Sequence, residues 1–362
     1  MTDTVKEAVP GSGAGGEDGH PRDARGEWLP RALTKGQPFV WPIEPRKLVK
    51  FFLGFPGFLW PIGAAAYYGL ATLTWYYLQP GADQLSNFSQ LSVDWILPMY
   101  VRNVVMLIIV AGTLHTILYR RRNQGTRFKY NSRWPGKSKA FTFNDQVRDN
   151  IFWSVASGAT IWTFYEVVML WAYGNGWAPF ASLRDNPFMF IALAAVLPFW
   201  QDFHFYVIHR ISHWKPFYKS FHYLHHKNTN VGPWSGLSMH PLEHILYFTR
   251  WIIFFVVPSH PIHMFYVMQR PALNPAIGHT GFDEIILGKD SDRKMSIDSY
   301  FHYLHHRYFE CNYGVSSMPF DRWFGSFHDG TSESYERMRQ KRRMPKEADS
   351  GPDRMLAVET GG

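Results

Sequence analysis

Cysteine is almost missing from this chain: Cys311 is the only one in 362 residues. That excludes a disulfide framework, a cysteine-bound structural zinc and any cysteine-ligated cluster. Charge is scarce as well, at 18% of residues, and from Phe51 to Ala82 there is none over 32 positions. A chain this poor in charge and 46% hydrophobic is not a disordered one. The mean hydropathy of −0.23 is that of a soluble protein, but it averages two segregated parts. Apolar residues crowd the first half. Histidines crowd the second, where 14 of 17 lie between His204 and His306.

The apolar part reads as membrane spans, each needing about 20 residues to cross a bilayer. Expected spans run from about Pro61 to Gln79, from about Trp95 to Tyr119, from Ile151 to Tyr173, and from Pro187 onward, uncharged to Gln201. Arg46, Lys47 and Lys50 precede the first, and nine Lys and Arg residues between Arg120 and Arg148 follow the second. The positive-inside rule puts the N-terminus and the 120–149 loop in the cytoplasm, and four spans return the chain there where the histidines begin. The stretch Ile245 to Met268 separates histidine groups that should share a compartment. It is too short for two full crossings, so a re-entrant hairpin broken at Pro258 and Pro261 is expected. Residues 1–40, rich in Gly, Asp, Glu and Arg, read as a disordered arm without a cleavable signal. The remaining divisions are a transmembrane region at 41–187, a catalytic region at 188–328 and a basic polar tail at 329–362. The fold class is thus an all-α, multi-pass membrane protein with about four spans, the hairpin and a cytoplasmic helical cap that binds metal.

Three histidine boxes carry that last inference: His209 with His213, His222 with His225 and His226, and His302 with His305 and His306. A looser group holds His240, His244 and the later His279. A spacing of four sets two rings about 40° apart on a helix, within reach of one ion. In each His-x-x-His-His group, i and i+3 share a face and i+4 sits one step round, so a group can serve two neighbouring metals. His20, His115 and His328 read as ordinary packing histidines, and His260 and His263 as polar residues at the hairpin tip. Imidazole suits zinc, copper, iron and nickel. Eight or more imidazoles beside a membrane fit a dinuclear iron centre that activates oxygen, although the ligands alone leave the metal open. Asp202, seven residues before His209, is placed to orient a ligand from behind. Asp283 reads as a ligand or such a supporting acid, and His204 ranks below the others. Glu166 and Arg250 are charges within apolar segments, functional or mutually paired.

The runs Asp202 to His213, Tyr218 to Lys227, His240-Pro-Leu-Glu243 and His302 to His306, followed by Asn312-Tyr-Gly314 and Asp321 to Gly325, resemble the fatty acid hydroxylase and sterol desaturase superfamily. The resemblance covers about 190–328. It implies a membrane-bound di-iron centre that uses O2 and two electrons to hydroxylate or desaturate a lipid C–H bond. By motif match the ligands would be His209, His213, His222, His225, His226, His302, His305 and His306, with His240 and His279 as further ones. Asp283 stands where some members carry a histidine, which points to the sterol side of the family; His244 has no counterpart. Nothing resembles a fused haem domain and no Gly-x-Gly-x-x-Gly opens a helix, so a separate ferredoxin or cytochrome would supply electrons. The basic tail, Arg337 to Lys346, is a candidate dock for that donor or for anionic headgroups. The net charge of +8 is accounted for by cytoplasmic loops and tail and does not call for nucleic acid. The rivals are an acyl-chain or ether-lipid hydroxylase of the same superfamily and a histidine-rich metal transporter or store. The latter would spread its ligands along the spans, yet the first three carry only His115.

Overall fold

A computed structural model describes residues 19–29, 31–33, 38–54, 63–288, 293–297 and 299–343. A short helix, α1 (Pro45–Leu53), precedes α2 (Ala64–Leu73), which continues as a π-helical stretch to Leu78. Among the described residues, three helices are long and apolar enough to cross a membrane: α3 (Val93–Arg120), α4 (Gln146–Gly174) and α5 (Pro187–Ser212). Each starts on a residue suited to the task. Ser92, Asp145 and Asn186 accept hydrogen bonds from Asp94, Arg148 and Met189 backbone N–H groups, and Pro187 occupies the first turn of α5. Val101, Val105, Ile109, Phe164, Ile191 and Val196 stay exposed on these helices, as apolar side chains facing lipid do.

The expected first span is the shortest. Between Ala64 and Leu78 it has 15 helical residues, below the length of the other three, and Pro61 lies outside the described residues. The fourth is longer than expected: α5 runs unbroken from Pro187 to Ser212, so His209 stands on the same helix as the apolar segment before it.

The helices alternate in direction. Trp171 donates to the carbonyl of Ser89 at 3.1 Å, and the Tyr173 and Ser259 hydroxyls meet at 2.6 Å, so the loops after α2, after α4 and at residues 256–260 share one end. At the other end, Tyr119 donates to the carbonyls of Val231 and Thr280, and Gln146 to Asn228. The histidines lie at this second end.

The 245–268 stretch forms a helical hairpin. One leg is α7 (Pro241–Tyr247) followed by a 3-10 segment (Thr249–Phe255), and the other is α8 (Pro261–Gly278), with the break at the predicted prolines. Its tip, at Ser259, reaches the far end of α4. The 3-10 segment lengthens its leg, because a 3-10 helix rises about 2.0 Å per residue against 1.5 Å for an α-helix. Burial explains its tolerance of prolines and histidines: 13 of the 18 residues of α8 are buried against α2, α4 and α5. Tyr266 stacks on Tyr68 of α2 with ring centres 3.8 Å apart.

The remaining elements cap the histidine end: α6 (215–226), α9 (Tyr300–Tyr308), α10 (Ser332–Arg343) and one departure from all-α, the antiparallel pair β1 (Glu284–Ile286) and β2 (Lys294–Ser296), with Ile285 opposite Met295. The tail expectation at 329–362 meets α10 in part; residues beyond 343, Lys346 among them, lie outside the described residues.

The N-terminal arm needs correction. Residues 1–18 lie outside the described part, but from Gly19 to Leu33 the described chain is packed in place. Trp28 is buried edge-on to Tyr130, its N–H donates to the Tyr130 carbonyl at 2.9 Å, and Arg307 of α9 donates to its carbonyl. Arg307 also pairs with Asp23 and Glu27, and Arg31 with Asp283. Composition registers polarity; it does not register that these charges have matched partners far along the chain.

Candidate metal centre

The centre is built from α5, α6, α9 and the residue that ends α8. Nine histidines converge in two groups whose candidate ligand atoms lie within 4.8 Å of one another: His209, His213, His222, His226 and His305 in one, and His225, His279, His302 and His306 in the other. Each His-x-x-His-His motif feeds both. His222 and His226 enter the first group and His225 the second; His302 and His306 enter the second and His305 the first. The motif therefore splits as i with i+4 against i+3, not as i with i+3. The angles account for it, since i+4 stands about 40° from i and i+3 about 60° on the other side.

The hydrogen bonds behind the rings fix which nitrogen faces inward. In the first group, His209 Nδ1–H donates to the Tyr313 carbonyl and His305 Nδ1–H to the Cys311 carbonyl, both at 2.6 Å, while His222 Nδ1 lies 2.7 Å from a Glu243 carboxyl oxygen. In the second, His279 Nδ1–H donates to Pro275 at 2.9 Å and His225 Nδ1–H to Ser238 at 3.3 Å. An imidazole that donates from Nδ1 carries a lone pair on Nε2.

Those Nε2 atoms crowd together. His213 Nε2 lies 2.9 Å from that of His222, 3.0 Å from His226 and 3.2 Å from His305. In the other group His279, His302 and His306 form a triangle with edges of 3.0, 3.1 and 3.2 Å. Each Nε2 has one proton or one lone pair, so hydrogen bonds cannot satisfy all of these contacts. A cation in each group does satisfy them. Nitrogens bound at right angles about 2.1 Å from one ion stand roughly 3.0 Å apart. The residues thus fit a pair of metal ions.

Burial prepares the donors. It lowers the His222 imidazole to about 3 and His225 to about 4, and holds His226, His279, His302, His305 and His306 well below the ordinary value. All are therefore neutral near pH 7, with lone pairs free for a metal. The same burial raises the Glu243 carboxyl to about 8, so without a cation the His222–Glu243 bond joins two neutral groups at neutral pH. A neighbouring cation favours the carboxylate and strengthens it as an acceptor.

The carbonyls at Cys311 and Tyr313 are held by the segment between α9 and residue 328. Asn312 takes a left-handed backbone (φ 53°), and its side chain donates to Phe301 and His328 carbonyls and accepts from the His328 N–H. The Asp321 carboxylate accepts the N–H groups of Tyr313 and Gly314 at 2.8 Å and the Ser326 hydroxyl at 2.7 Å. Sequence reading missed both carbonyls and the role of Glu243. A backbone acceptor leaves no residue-type signal; the acid three residues after His240 was visible but had no assignable target.

Other expected residues lie elsewhere. His240 caps α7, accepting from the Leu242 N–H at 3.2 Å, and stands outside both groups. Asp202 does not orient His209; it binds Arg270 at 3.0 Å and accepts from Ser317 at 3.3 Å. Asp283 pairs with Arg31 and accepts from the Tyr130 hydroxyl at 3.1 Å. His204 meets Thr249, and His244 meets Ser157. Glu166 pairs with Arg102 and Asn103 between α3 and α4, not with Arg250. His260 caps α8 and His263 lies 3.0 Å from the Phe190 carbonyl.

A cavity of about 820 Å³ opens against the centre. His209, His222, His225, His279 and His302 form one wall, and Met239, Phe205, Ile208 and Pro271 add apolar surface. That size is within the range of small-molecule sites.

Fold and site define a helical membrane protein with a paired histidine centre at one end of its spans. The fatty acid hydroxylase family model matches residues 194–326, the stretch that holds every histidine of both groups. The chain is 26% identical to a Delta(7)-sterol 5(6)-desaturase of Gibberella zeae, over 41% of this chain and 45% of that protein. It is 28% identical to a Delta(7)-sterol-C5(6)-desaturase of Nicotiana tabacum, over 45% and 60%, and 30% identical to a putative Delta(7)-sterol-C5(6)-desaturase 2 of Arabidopsis thaliana, over 48% and 62%. The superfamily resemblance therefore holds and leans to the sterol desaturases, although the chain spans only about half the length of these relatives. No solved structure matches.

Proposed function

We propose that this protein is an O2-dependent di-iron membrane oxygenase that hydroxylates or desaturates a lipid, with a sterol-type substrate favoured. The observation that carries the reading is the cavity bounded by five box histidines: lone pairs that only a cation reconciles line a chamber of small-molecule size. The nine clustered histidines would hold the two irons, with His240 serving as a helix cap instead. When bound, such a centre supplies oxidation of an unactivated C–H bond with O2 and two electrons. The chain's own residues do the rest. Tyr313, Cys311, Ser238 and Pro275 carbonyls set the imidazole tautomers, Glu243 anchors His222, and the apolar wall keeps water from the reacting carbon.

Four spans with the hairpin nested among them, and the histidine end in the cytoplasm, follow from two supports. The basic 120–149 loop and the packed N-terminal segment both contact the histidine-bearing cap, and both lie where positive charge is expected. In this reading residues 41–187 anchor, 188–328 catalyse and 329–362 form a polar tail. Electrons come from a separate ferredoxin or cytochrome, for which the basic face of α10 offers an acidic partner a dock.

The purified full-length protein is expected to hold two irons per chain and to consume O2 while oxidising a sterol. Lipidomics of a deletion strain should show one unoxidised sterol accumulating. Accumulation of an acyl lipid short of one oxygen would move the substrate to the hydroxylase side. One zinc per chain without O2 consumption would end the enzymatic reading.

A further inference from the structure

The cavity has a second polar wall that the metal chemistry does not use. It is formed by Gln201 and Asp202 on α5, Arg270 and Asn274 on α8, and Arg250 on the 3-10 leg of the hairpin. Two guanidinium groups stand there beside one carboxylate, and only Arg270 pairs with it. Arg270 Nη1 donates to Asp202 and to Gln201 Oε1, both at 3.0 Å, while its Nε and Nη2 have no partner among the described residues. Arg250, only 3% exposed, donates from Nε and Nη2 to the Tyr247 carbonyl and lies 4.5 Å over the Tyr247 ring, but no carboxylate pairs with it among the described residues. Asn274 engages Tyr67 only through its Oδ1 at 3.5 Å, which leaves its amide N–H groups open. Of the other two acids of the cavity, Glu243 is committed to His222 and Glu284 pairs with Lys294.

The Arg270 side chain keeps about a fifth of its surface open, 21%, so its free donors are available to a ligand that completes the set. A polar cluster beside apolar wall residues such as Phe205, Ile208 and Met239 is the usual form of a site that orients an amphipathic molecule. Asp202 and His209 lie two turns apart on α5, about 10 Å along its axis, so one lipid can reach both the cluster and the centre.

We propose that Arg250, Arg270 and Asn274 form the head-group site of the chamber, receiving an acceptor oxygen of the substrate and so deciding which of its carbons faces the histidines. This rests on the cavity being the substrate chamber of an oxygenase. The chemistry is that of an oxygen with free lone pairs and no positive charge, available from a sterol hydroxyl or a fatty acid carboxylate.

Binding to the full-length, iron-loaded protein in nanodiscs tests it, with cholesterol against cholestane and stearate against octadecane as probes. The oxygenated member of a pair should bind roughly ten- to a hundredfold tighter than its hydrocarbon, the worth of a hydrogen bond to a charged group. R270Q and R250Q should each remove that advantage and leave hydrocarbon binding and iron content unchanged; N274L should reduce it. If R270Q does not fold, R250Q and N274L carry the test. Discrimination by arginine for stearate alone upholds the head-group site and overturns the sterol reading. Equal binding within both pairs, or a loss of both members of a pair in R270Q, overturns the head-group site and leaves the chamber standing. Failure of all four probes to bind overturns the site.

Discussion

The five-histidine group and the four-histidine group draw on the same two motifs yet are held differently. In the first, His222 leans on the Glu243 carboxyl and two further rings on the carbonyls of Cys311 and Tyr313. In the second, two rings lean on the carbonyls of Pro275 and Ser238 and none on a carboxyl, while each group has one ring, His226 and His306, whose buried Nδ1 has no partner among the described residues. A carboxylate behind an imidazole makes it a stronger donor than a neutral carbonyl does. The two positions are thus chemically unequal. The four-histidine one has fewer protein donors, and three of its members, His225, His279 and His302, face the cavity.

Removing a ligand breaks the comparison outright. H305A should lose the metal of the five-histidine group and H306A that of the four-histidine group, each abolishing oxidation and halving iron per chain; full activity in either would refute the assignment. Glu243→Gln sharpens it. Metal affinity of the five-histidine group should fall roughly 10- to 100-fold, with the other group unchanged. Metal titration followed by optical or Mössbauer spectra separates the two.

The acid behaviour of the metal-free protein distinguishes burial from ligation. His222 and His225 have folded values of about 3 and about 4 against an unfolded value near 6.5. The unfolded chain therefore binds more protons below pH 6.5. The stability these rings contribute is complete above that pH and is lost as it falls toward about 4. Melting curves of the metal-free protein from pH 7 to 4 should decline through this window, and a flat profile would contradict the burial of these rings. Asn312→Ala removes three hydrogen bonds from a left-handed turn and should cost about 1–3 kcal/mol, lowering the melting temperature and loosening the five-histidine group first. The smallest effect is expected from His240→Ala: about 1 kcal/mol or less from a lost cap, with iron content intact. Loss of iron in that variant would restore His240 to the ligands.

Much of the site was legible because histidine spacing is a local code. On one helix the angle between i and i+4 is set by the backbone, so His209 with His213 and the two His-x-x-His-His groups declare a shared target without knowledge of the fold. Asp202 shows the limit of such reasoning. Its place on the face of His209 was read correctly, but α8 brings Arg270 against it, and the His209 ring turns to the Tyr313 carbonyl instead. The N-terminal segment failed for a related reason: Trp28 and its flanking charges find partners 100 and more residues away.

Apolar helices and clustered imidazoles were legible in the sequence alone, because hydropathy and helical angle are properties of short stretches. The lone cysteine belongs to both accounts: its scarcity left imidazole as the donor, while its carbonyl, not its thiol, serves the site by steadying His305. Which rings fall in one group, which acid and carbonyls stand behind them, and how deep the hairpin reaches are set by the tertiary structure. Those depend on contacts between helices far apart in the chain, where a backbone oxygen or an arginine of another segment counts as much as the motif itself.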